Sequence, residues 1–441
     1  MKRKIYNDLL KWKETKNFKP LLVIGVRQCG KTYIIDKFCK NEYKNYKRIN
    51  LFDNEDVINL YKSNKTSLEK YNQLKLLLDF NFDEENSILF IDEIQECEEL
   101  ISELKYFNEE HPNVRIICAG SLLGVKLARL KKPFPVGKIS RLYLYPMDFE
   151  EFLEAYNKDL LIEAIKESFN NNKSIGKEIH EKALNYYRRY LLSGGMPDSV
   201  KNMIECDNDY YNYNTDILKN IIEDYKNDMN NHVTNTTETL KIRKIYSSLP
   251  SQLENVSKKF QYSNIESNAK SREYSLPLNW LEESNMIQIC KCVKTPEKPL
   301  KGFIEEETFK VYFSDVGIFN QAVGNDTKSI ILDDMKIYKG IITENYVANQ
   351  LKSNGIDLLY WKGPRNSEID FLINTNDGII PIEVKADNNT QSKSLKVYNE
   401  LYNPKYMIRI STKDFGYNPE TKIKSIPLYA TFLLNNLTKE N

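Results

Sequence analysis

We predict an α/β fold for this chain of 441 residues, on three observations. A run of apolar residues at 21–24 leads into a glycine-containing loop and then into a helical pattern. A second apolar run, at 88–91, ends in two adjacent carboxylates. Over residues 1–150, short apolar runs alternate with amphipathic stretches, which is typical of a doubly wound parallel sheet. The predicted strands are 21–25, 47–52, 87–92, 114–119 and 141–145.

The composition is that of a folded protein with almost no net charge. Hydrophobic residues make up 41% of the chain and charged residues 28%, and the formal net charge is +1. This charge excludes a global basic field, so any contact with nucleic acid must come from a local patch. No apolar run approaches the roughly 18 residues of a membrane helix, and the basic segment at residues 1–4 is not followed by the apolar stretch expected of a signal peptide. The seven cysteines form no C-x-x-C pair, so we expect a reduced, cytoplasmic protein without structural zinc or a membrane partner.

The loop after the first predicted strand has the spacing of a phosphate-binding P-loop. Its two glycines let the backbone curl so that N–H groups point at phosphate oxygens, next to the positive end of the following helix. Lys31 would reach the β- and γ-phosphates, and the Thr32 hydroxyl would ligate Mg²⁺. The alternative is an ordinary glycine turn with a chance lysine. The loop residues are Gly25, Val26, Arg27, Gln28, Cys29, Gly30, Lys31 and Thr32.

The second apolar run places two carboxylates where ligands bind in an open α/β sheet. Four apolar residues read as a buried central strand, and Asp92 and Glu93 follow at its C-terminal end. Asp92 would hold Mg²⁺, and Glu93 would orient or deprotonate the attacking water. A strand that ends in two acids is common by itself. Together with the P-loop, it predicts hydrolysis of a nucleoside triphosphate.

These two motifs resemble those of the AAA+ superfamily, most closely its prokaryotic branch near the STAND ATPases. The resemblance covers roughly residues 18–235 and includes Arg27 and Gln28 inside the loop. Two further stretches support it: a strand at 116–120 that leads into Ser121, and the sequence Gly194-Gly195-Met196-Pro197. The second stretch resembles the Gly-x-Pro motif in the helical lid of the STAND branch.

The resemblance implies roles for three further residues. Ser121 would read the γ-phosphate, although a serine that caps the next helix explains it equally well. Arg141 would approach the nucleotide or a neighbouring subunit, with a surface ion pair as the alternative. Pro197 would lie against the nucleotide. The predicted nucleotide-binding residues are Gly25, Arg27, Gln28, Gly30, Lys31, Thr32, Ser121, Arg141 and Pro197.

The C-terminal part of the sequence holds acidic residues in an order of helix, strand and strand. Glu344 lies in a helical run at 341–351. Two apolar runs, at 368–373 and 379–385, flank a turn that contains Asn-Asp-Gly. This pattern predicts a β-hairpin with alternating faces.

The acidic residues of this hairpin resemble the PD-(D/E)xK nuclease superfamily. Because strand side chains repeat every two residues, Glu383 and Lys385 share one face. The resemblance implies that Asp370 and Glu383 ligate Mg²⁺, that Lys385 is a catalytic lysine and that Glu344 is an accessory acid and metal ligand. No proline precedes Asp370, which departs from the motif, and Glu368 is a candidate helper. The alternative is an ordinary hairpin with a surface ion pair between Glu383 and Lys385.

We therefore predict an α/β protein with four parts. These are a P-loop ATPase core with a parallel sheet at 1–150, a helical lid at 151–237, a winged-helix-like module at 238–300 and an α/β nuclease-like domain at 301–441. This order resembles a widespread prokaryotic family of predicted ATPases whose C-terminal domain is of unknown function.

We expect the chain to bind ATP with Mg²⁺, to hydrolyse ATP, and to couple this to binding or cleavage of DNA or RNA. The alternative is a nucleotide-gated regulatory or scaffold protein whose C-terminal domain only binds a partner. A third reading makes the winged helix a DNA reader with a local basic face. The sequence leaves open a protein partner or a homo-oligomer. The basic face would consist of Lys241, Arg243, Lys244, Lys258, Lys259 and Arg272.

Overall fold

A computed structural model of the chain describes residues 1–130, 137–206, 209–231, 236–254, 258–335, 338–386 and 392–438. Their contacts form two compact units. The N-terminal unit consists of residues 2–145 with 283–285, and the C-terminal unit contains residue 1, 146–282 and the rest of the chain from 286. The predicted domain boundaries, at 150, 237 and 300, stay predictions.

The N-terminal unit is built on a parallel sheet. Its strands are β1 (Leu21–Ile24), β2 (Asn45–Asn50), β3 (Ser87–Asp92), β4 (Ile116–Gly120) and β5 (Ser140–Tyr143). Its helices are α1 (Ile5–Glu14), α2 (Lys31–Glu42), α3 (Glu55–Lys62), α4 (Ser67–Leu78), α5 (Glu98–Glu109) and α6 (Leu123–Ala128). Among the described residues the strand order is β2-β3-β4-β1-β5, and every pairing is parallel. The predicted α/β fold with a parallel sheet is confirmed.

Burial explains why the central strands are nearly continuous apolar runs. Every residue of β1, β3 and β4 is buried, because helices cover both faces of a parallel sheet. The outer strands are more exposed: β2 has one buried residue, and β5 alternates half-buried and exposed positions. Their predicted bounds, 47–52 and 141–145, differ from the observed ones by one or two residues at each end. Edge strands lack the continuous apolar signal that fixes the bounds of central strands.

The C-terminal unit begins with helices and continues with mixed sheets. Its helices are α7 (Phe149–Ala155), α8 (Asp159–Asn171), α9 (Lys177–Ser193), α10 (Pro197–Glu205), α11 (Asp216–Asn231), α12 (Thr236–Glu254), α13 (Ser271–Glu283), α14 (Val316–Val323), α15 (Thr327–Ile331), α16 (Tyr338–Ser353) and α17 (Lys393–Tyr402). Its strands are β6 (Ile287–Val293), β7 (Ile304–Phe313), β8 (Leu359–Lys362), β9 (Glu368–Ile369), β10 (Phe371–Thr375), β11 (Gly378–Val384), β12 (Met407–Ser411), β13 (Gly416–Asn418) and β14 (Ile423–Pro427).

These strands form two sheets within the described part of the chain. One has the order β7-β6-β8-β9, and the other has the order β10-β11-β12-β14-β13. Strands β10 and β11 pair antiparallel, which is the predicted hairpin. Strand β11 then pairs parallel with β12. The C-terminal part is therefore mixed α/β, and its identity as a nuclease-like domain stays a prediction.

Helix α12 and strand β6 differ from the expected short helices and separate module. Helix α12 continues through Pro250 to Glu254, because its buried face, which includes Ile242, Leu249 and Leu253, continues past the proline. Strand β6 pairs antiparallel with β7 and parallel with β8. The sheet that starts in the predicted winged-helix module therefore extends beyond residue 300.

None of the described helices combines the length and the apolar content that crossing a bilayer requires.

Candidate functional site

The loop between β1 and α2 has the tightly curled backbone that its sequence predicts. Gln28 and Gly30 have left-handed backbone angles, with φ of 63° and 92°. A Cβ at Gly25 would lie 2.3 Å from the Leu144 carbonyl oxygen, so only glycine fits at the start of the loop. Helix α2 begins at Lys31, directly after Gly30. The loop thus ends at a helix N-terminus, where anions bind favourably.

Arg3 holds this loop from outside, a role that sequence reasoning missed. Its guanidinium is buried and donates to the Cys29 carbonyl oxygen at 2.8 Å and to the Tyr145 carbonyl oxygen at 2.6 Å. A charged guanidinium fixes two backbone segments at once through these bonds. A lone arginine in a basic N-terminal segment carries no signal of this contact.

Lys31 lies inside the curl of the loop. It is 7% exposed, and its Nζ donates to the carbonyl oxygens of Gly25 at 2.8 Å and Val26 at 2.9 Å. The ammonium is therefore held where the loop closes, with carbonyl dipoles offsetting part of the cost of its burial.

Thr32, in the first turn of α2, contacts Asp92, the last residue of β3. The Thr32 hydroxyl donates to Asp92 Oδ2 at 2.9 Å, and Arg48 Nη2 donates to the same oxygen at 2.9 Å. Burial raises the pKa of Asp92, against the hydrogen bond from Thr32 and the charge of Arg48. A hydroxyl and a buried carboxylate in contact suit the few protein ligands that Mg²⁺ takes when phosphates supply others. Arg48 was not anticipated, because it lies on β2, far from either motif.

Glu93 follows Asp92 in a left-handed conformation, with φ of 54°. Its backbone N–H donates to Asp92 Oδ1 at 3.2 Å. Its side-chain Oε2 accepts from Gln95 Nε2 at 2.6 Å. The carboxylate is thus half-buried and held by a specific side chain at the C-terminal end of β3.

The remaining predicted nucleotide residues occupy different surroundings. Ser121 is half-buried at the end of β4, and β4 pairs with both β1 and β3. Arg27, Gln28 and Arg141 are exposed. Pro197 is in the first turn of α10 in the C-terminal unit. The roles of all five in nucleotide binding stay predictions.

The glycines before Pro197 have a structural explanation inside the C-terminal unit. The Gly195 N–H donates to Asp315 Oδ2 at 2.7 Å, and a Cβ at Gly194 would lie 2.0 Å from Asp315 Oδ1. A Cβ at Gly195 would lie 2.1 Å from the Met147 carbonyl oxygen. Asp315 also caps α14 by accepting from the Ile318 N–H at 2.9 Å. Burial raises the pKa of Asp315 to about 6.

Glu344 lies in a buried cluster of charges in the C-terminal unit. Its Oε1 accepts from Lys310 Nζ at 3.0 Å and from the Tyr312 hydroxyl, and its Oε2 accepts from Lys258. Burial opposes ionisation, but the two lysines hold the pKa of Glu344 down, to about 2. Lys310 has no exposed side-chain surface and also contacts Glu368 Oε1 at 2.6 Å. Neither lysine was predicted as a partner of Glu344, because the charge cluster is assembled from separate elements. Lys258 was assigned to the basic face instead.

Asp370, Glu383 and Lys385 come together on the hairpin. Asp370 Oδ2 accepts from the Val384 N–H at 2.8 Å. The β10–β11 register pairs Phe371 with Ile382, so one residue further Asp370 stands opposite Glu383. Glu383 Oε1 contacts Lys385 Nζ at 3.0 Å. Burial, together with the charge of Glu344, raises the pKa of Asp370 to about 7.

The three predicted C-terminal metal ligands fit a cation unequally. The buried Glu383 Oε2 has no hydrogen-bond partner among the described residues, so this oxygen is available to bind a metal ion. Glu344 does not fit, because lysine and tyrosine donors occupy both of its oxygens. Within the described ranges, no group of three His, Cys, Asp or Glu side chains gathers in a metal-binding arrangement.

The predicted basic face of the winged-helix region is partly neutralised. Lys241 Nζ contacts Glu273 at 3.3 Å, and Lys244 Nζ contacts Glu266 at 2.5 Å. Lys258 bonds to the buried Glu344. Three of the six basic residues therefore face carboxylates, which weakens the case for a phosphate-binding surface.

Comparisons with known protein families match three segments of the chain. Residues 17–153 match a family described as an AAA domain. Residues 184–329 and 339–430 match two families described as domains of unknown function, DUF8612 and DUF4143. No curated protein matches the chain.

Comparison with solved structures returns P-loop proteins at low similarity. The Walker-type ATPase PABY2304 of Pyrococcus abyssi is 16% identical, with 73% of this chain and 95% of that chain covered and a TM-score of 0.42. The Aeropyrum pernix ORC2 protein is 13% identical, with coverages of 75% and 92% and a TM-score of 0.32. The Pyrococcus horikoshii STAND protein PH0952 is 16% identical, with coverages of 83% and 46% and a TM-score of 0.28.

The parallel sheet, the curled loop and the family match define the N-terminal unit. Residues 17–153 match the AAA domain family, and the five-stranded parallel sheet and curled loop of this unit agree with a P-loop fold.

Proposed function

We propose that the N-terminal unit binds ATP with Mg²⁺ and hydrolyses it. The contact between Thr32 and Asp92, with 2.9 Å between the hydroxyl and carboxylate oxygens, is the observation that carries this proposal. It joins the end of the P-loop to the end of β3, as Mg²⁺-dependent binding of a triphosphate requires. The predicted cofactors, ATP and Mg²⁺, follow from the same contact.

Each residue of the site has a distinct task in this proposal. The loop N–H groups and Lys31 bind the phosphates and stabilise the charge that develops on them. Thr32 and Asp92 would hold Mg²⁺, which supplies positive charge beside the phosphate oxygens. Glu93 orients the attacking water and accepts its proton.

Hydrolysis measured on purified full-length variants tests this proposal. Lys31→Ala should reduce ATP turnover to background, because the other cation of the loop, Arg27, is exposed, whereas the Lys31 ammonium lies inside the curl. Lys40→Ala is the matched control, since Lys40 lies on the same helix, is exposed and pairs with Asp36 at the surface. Unchanged turnover in Lys31→Ala would contradict the assignment.

Glu93→Gln separates binding from chemistry. The amide keeps the size of the carboxylate but cannot accept a proton, so the variant should retain ATP and hydrolyse it at least about a hundredfold more slowly. The amount of radiolabelled ATP that stays with the protein through gel filtration measures how much unhydrolysed ATP the variant retains. Loss of ATP binding would instead assign Glu93 a role in the fold.

We propose further that the C-terminal unit binds or cleaves nucleic acid in a metal-dependent manner. The orphaned, buried Glu383 Oε2 opposite Asp370 favours this function, since both carboxylates could hold a divalent cation. Lys385, 3.0 Å from Glu383, would contact the substrate phosphate. Glu344 is assigned to the buried charge cluster and not to the metal.

Labelled DNA and RNA, incubated with the full chain and Mg²⁺ or Mn²⁺ with and without ATP, test this second function. Cutting should disappear in Asp370→Ala and Glu383→Ala. It should persist in Asp377→Ala, which removes an exposed acid from the turn of the same hairpin. If no metal supports cutting, the regulatory or scaffold alternative is favoured. Mass photometry of the same samples, with and without ATP, shows whether the chain forms oligomers.

A further inference from the structure

We infer that Gln95 is a positioning residue for hydrolysis, which sets the orientation of the Glu93 carboxylate. This inference rests on the proposed ATPase function. Gln95 lies in the short 3-10 helix Ile94–Glu96, directly after β3. It does not enter the predicted nucleotide site, and its role comes from its contact with Glu93.

Gln95 is a buried polar side chain whose amide makes one hydrogen bond among the described residues. It is 4% exposed, and its Nε2 donates to Glu93 Oε2 at 2.6 Å. Its Oε1 is buried and has no hydrogen-bond partner among the described residues. Leaving a buried polar atom without a hydrogen bond costs free energy. If the bond from Nε2 to Glu93 were also lost, both polar atoms of the amide would be unsatisfied, so this bond favours the observed position of the Glu93 carboxylate.

Gly120, the last residue of β4, makes room for this amide. A Cβ at Gly120 would lie 1.9 Å from Gln95 Oε1 and 3.0 Å from Gln95 Cδ. Ser121, the predicted γ-phosphate sensor, is the next residue. Gln95 therefore packs between the end of β4 and the Glu93 carboxylate. A movement of the backbone at Gly120 would displace the amide and with it the carboxylate.

The chain geometry explains why a specific restraint is needed. Glu93 has a left-handed backbone, with φ of 54°, a conformation that is uncommon for residues other than glycine. Without a partner, a half-buried carboxylate samples several rotamers. The hydrogen bond from Gln95 favours one of these rotamers and so preorganises the carboxylate for the activation of water.

Gln95→Leu removes the donor and keeps the approximate size of the side chain. The expected result is a fall in kcat of about tenfold or more, with the ATP dissociation constant changed by less than about twofold. A structural defect would instead weaken ATP binding as well. Gln95→Glu, which places a carboxylate against Glu93, should lower kcat at least as far and serves if the leucine variant does not fold.

A double-mutant cycle with Glu93→Gln shows whether Gln95 acts through Glu93. In single-turnover measurements, Gln95→Leu should slow the wild-type chain but cause less than about a twofold further loss in Glu93→Gln. Equal losses in both backgrounds would overturn the inference. So would an unchanged kcat in a folded Gln95→Leu variant of an active enzyme.

Gly120→Ala provides an independent second variant. Its methyl group displaces the Gln95 amide, so kcat should fall when Gly120→Ala is made in the wild-type chain. In Gln95→Ala, where the amide is already absent and the methyl group has space, Gly120→Ala should cause no further fall. Equal effects of Gly120→Ala in both backgrounds would contradict the packing argument. If the wild-type chain itself hydrolyses no ATP, the proposed function fails, and the inference fails with it.

Discussion

At the scale of single residues, buried charges are the main feature of both units. Arg3 binds two backbone carbonyl oxygens in the N-terminal unit, and Lys310 is fully buried among carboxylates in the C-terminal unit. Each is tolerated because its partners replace the hydrogen bonds of water. Removal of either should therefore cost more than removal of a surface charge.

Replacement of Arg3 by alanine should loosen the P-loop. The variant loses the bonds to the Cys29 and Tyr145 carbonyl oxygens, each worth about 1–3 kcal/mol when it is charge-assisted and buried. We expect a lower melting temperature and weaker ATP binding. Lys11→Ala, which removes an exposed pair with Asp8, should change stability by less than about 1 kcal/mol and is the control. Equal stability of the two variants would contradict this role.

Replacement of Lys310 by methionine should destabilise the C-terminal unit. Methionine fills a similar volume but carries no charge, so Glu344 and Glu368 each lose their ion pair with the buried ammonium. The expected loss is about 3–5 kcal/mol in urea-induced unfolding. Lys291→Met removes an exposed pair with Glu306 and should leave the unfolding midpoint almost unchanged. A wild-type midpoint for Lys310→Met would show that the cluster adds no stability.

At the scale of elements, the connection between α9 and α10 depends on Asp315. Its carboxylate accepts from the N–H groups of Gly195 and Ile318 and so joins this turn to α14. Gly194→Ala should destabilise the unit strongly, because the new methyl group would overlap the carboxylate and the residue has a φ of 63°. Gly355→Ala is a control with a similarly positive φ but no close neighbour. If the melting temperature falls equally in both variants, the loss of stability comes from the strained backbone conformation and not from overlap with Asp315.

Asp315 also predicts a pH dependence. Because its pKa is raised from 3.8 to about 6 in the folded chain, its contribution to stability is full below pH 4 and is lost as pH rises through 6. Asp315→Asn cannot titrate. The wild-type advantage in unfolding free energy over this variant should therefore shrink by up to about 3 kcal/mol between pH 4 and pH 8. A constant difference over this range would show that Asp315 does not titrate as described.

The elements that could be predicted from the sequence are those with contiguous signals. The central strands, the P-loop and the β10–β11 hairpin each occupy one short stretch whose apolar pattern or turn residues define them. Arg48 and Lys310 could not be predicted, because their partners lie on other elements. Gln95 is close to Glu93 in the sequence, but no sequence pattern indicates that their side chains are in contact. The glycines before Pro197 were detected, but their contact with Asp315 depends on tertiary packing.

At the scale of the whole molecule, two compact units carry different chemistry. The N-terminal unit presents a curled loop, a lysine and two carboxylates at one edge of a parallel sheet. The C-terminal unit places its acids in a mixed sheet among buried lysines. With a net charge of only +1 for the chain, a function in either unit must depend on local geometry rather than on a global field.

Titration calorimetry of the full-length chain with ATP and Mg²⁺ tests the central claim most directly. The account predicts saturable binding with one ATP per chain in the wild type, retained binding in Glu93→Gln and loss of binding in Lys31→Ala. Absence of a binding signal in the wild type, or equal affinity in Lys31→Ala, would contradict the claim that the loop after β1 holds the triphosphate.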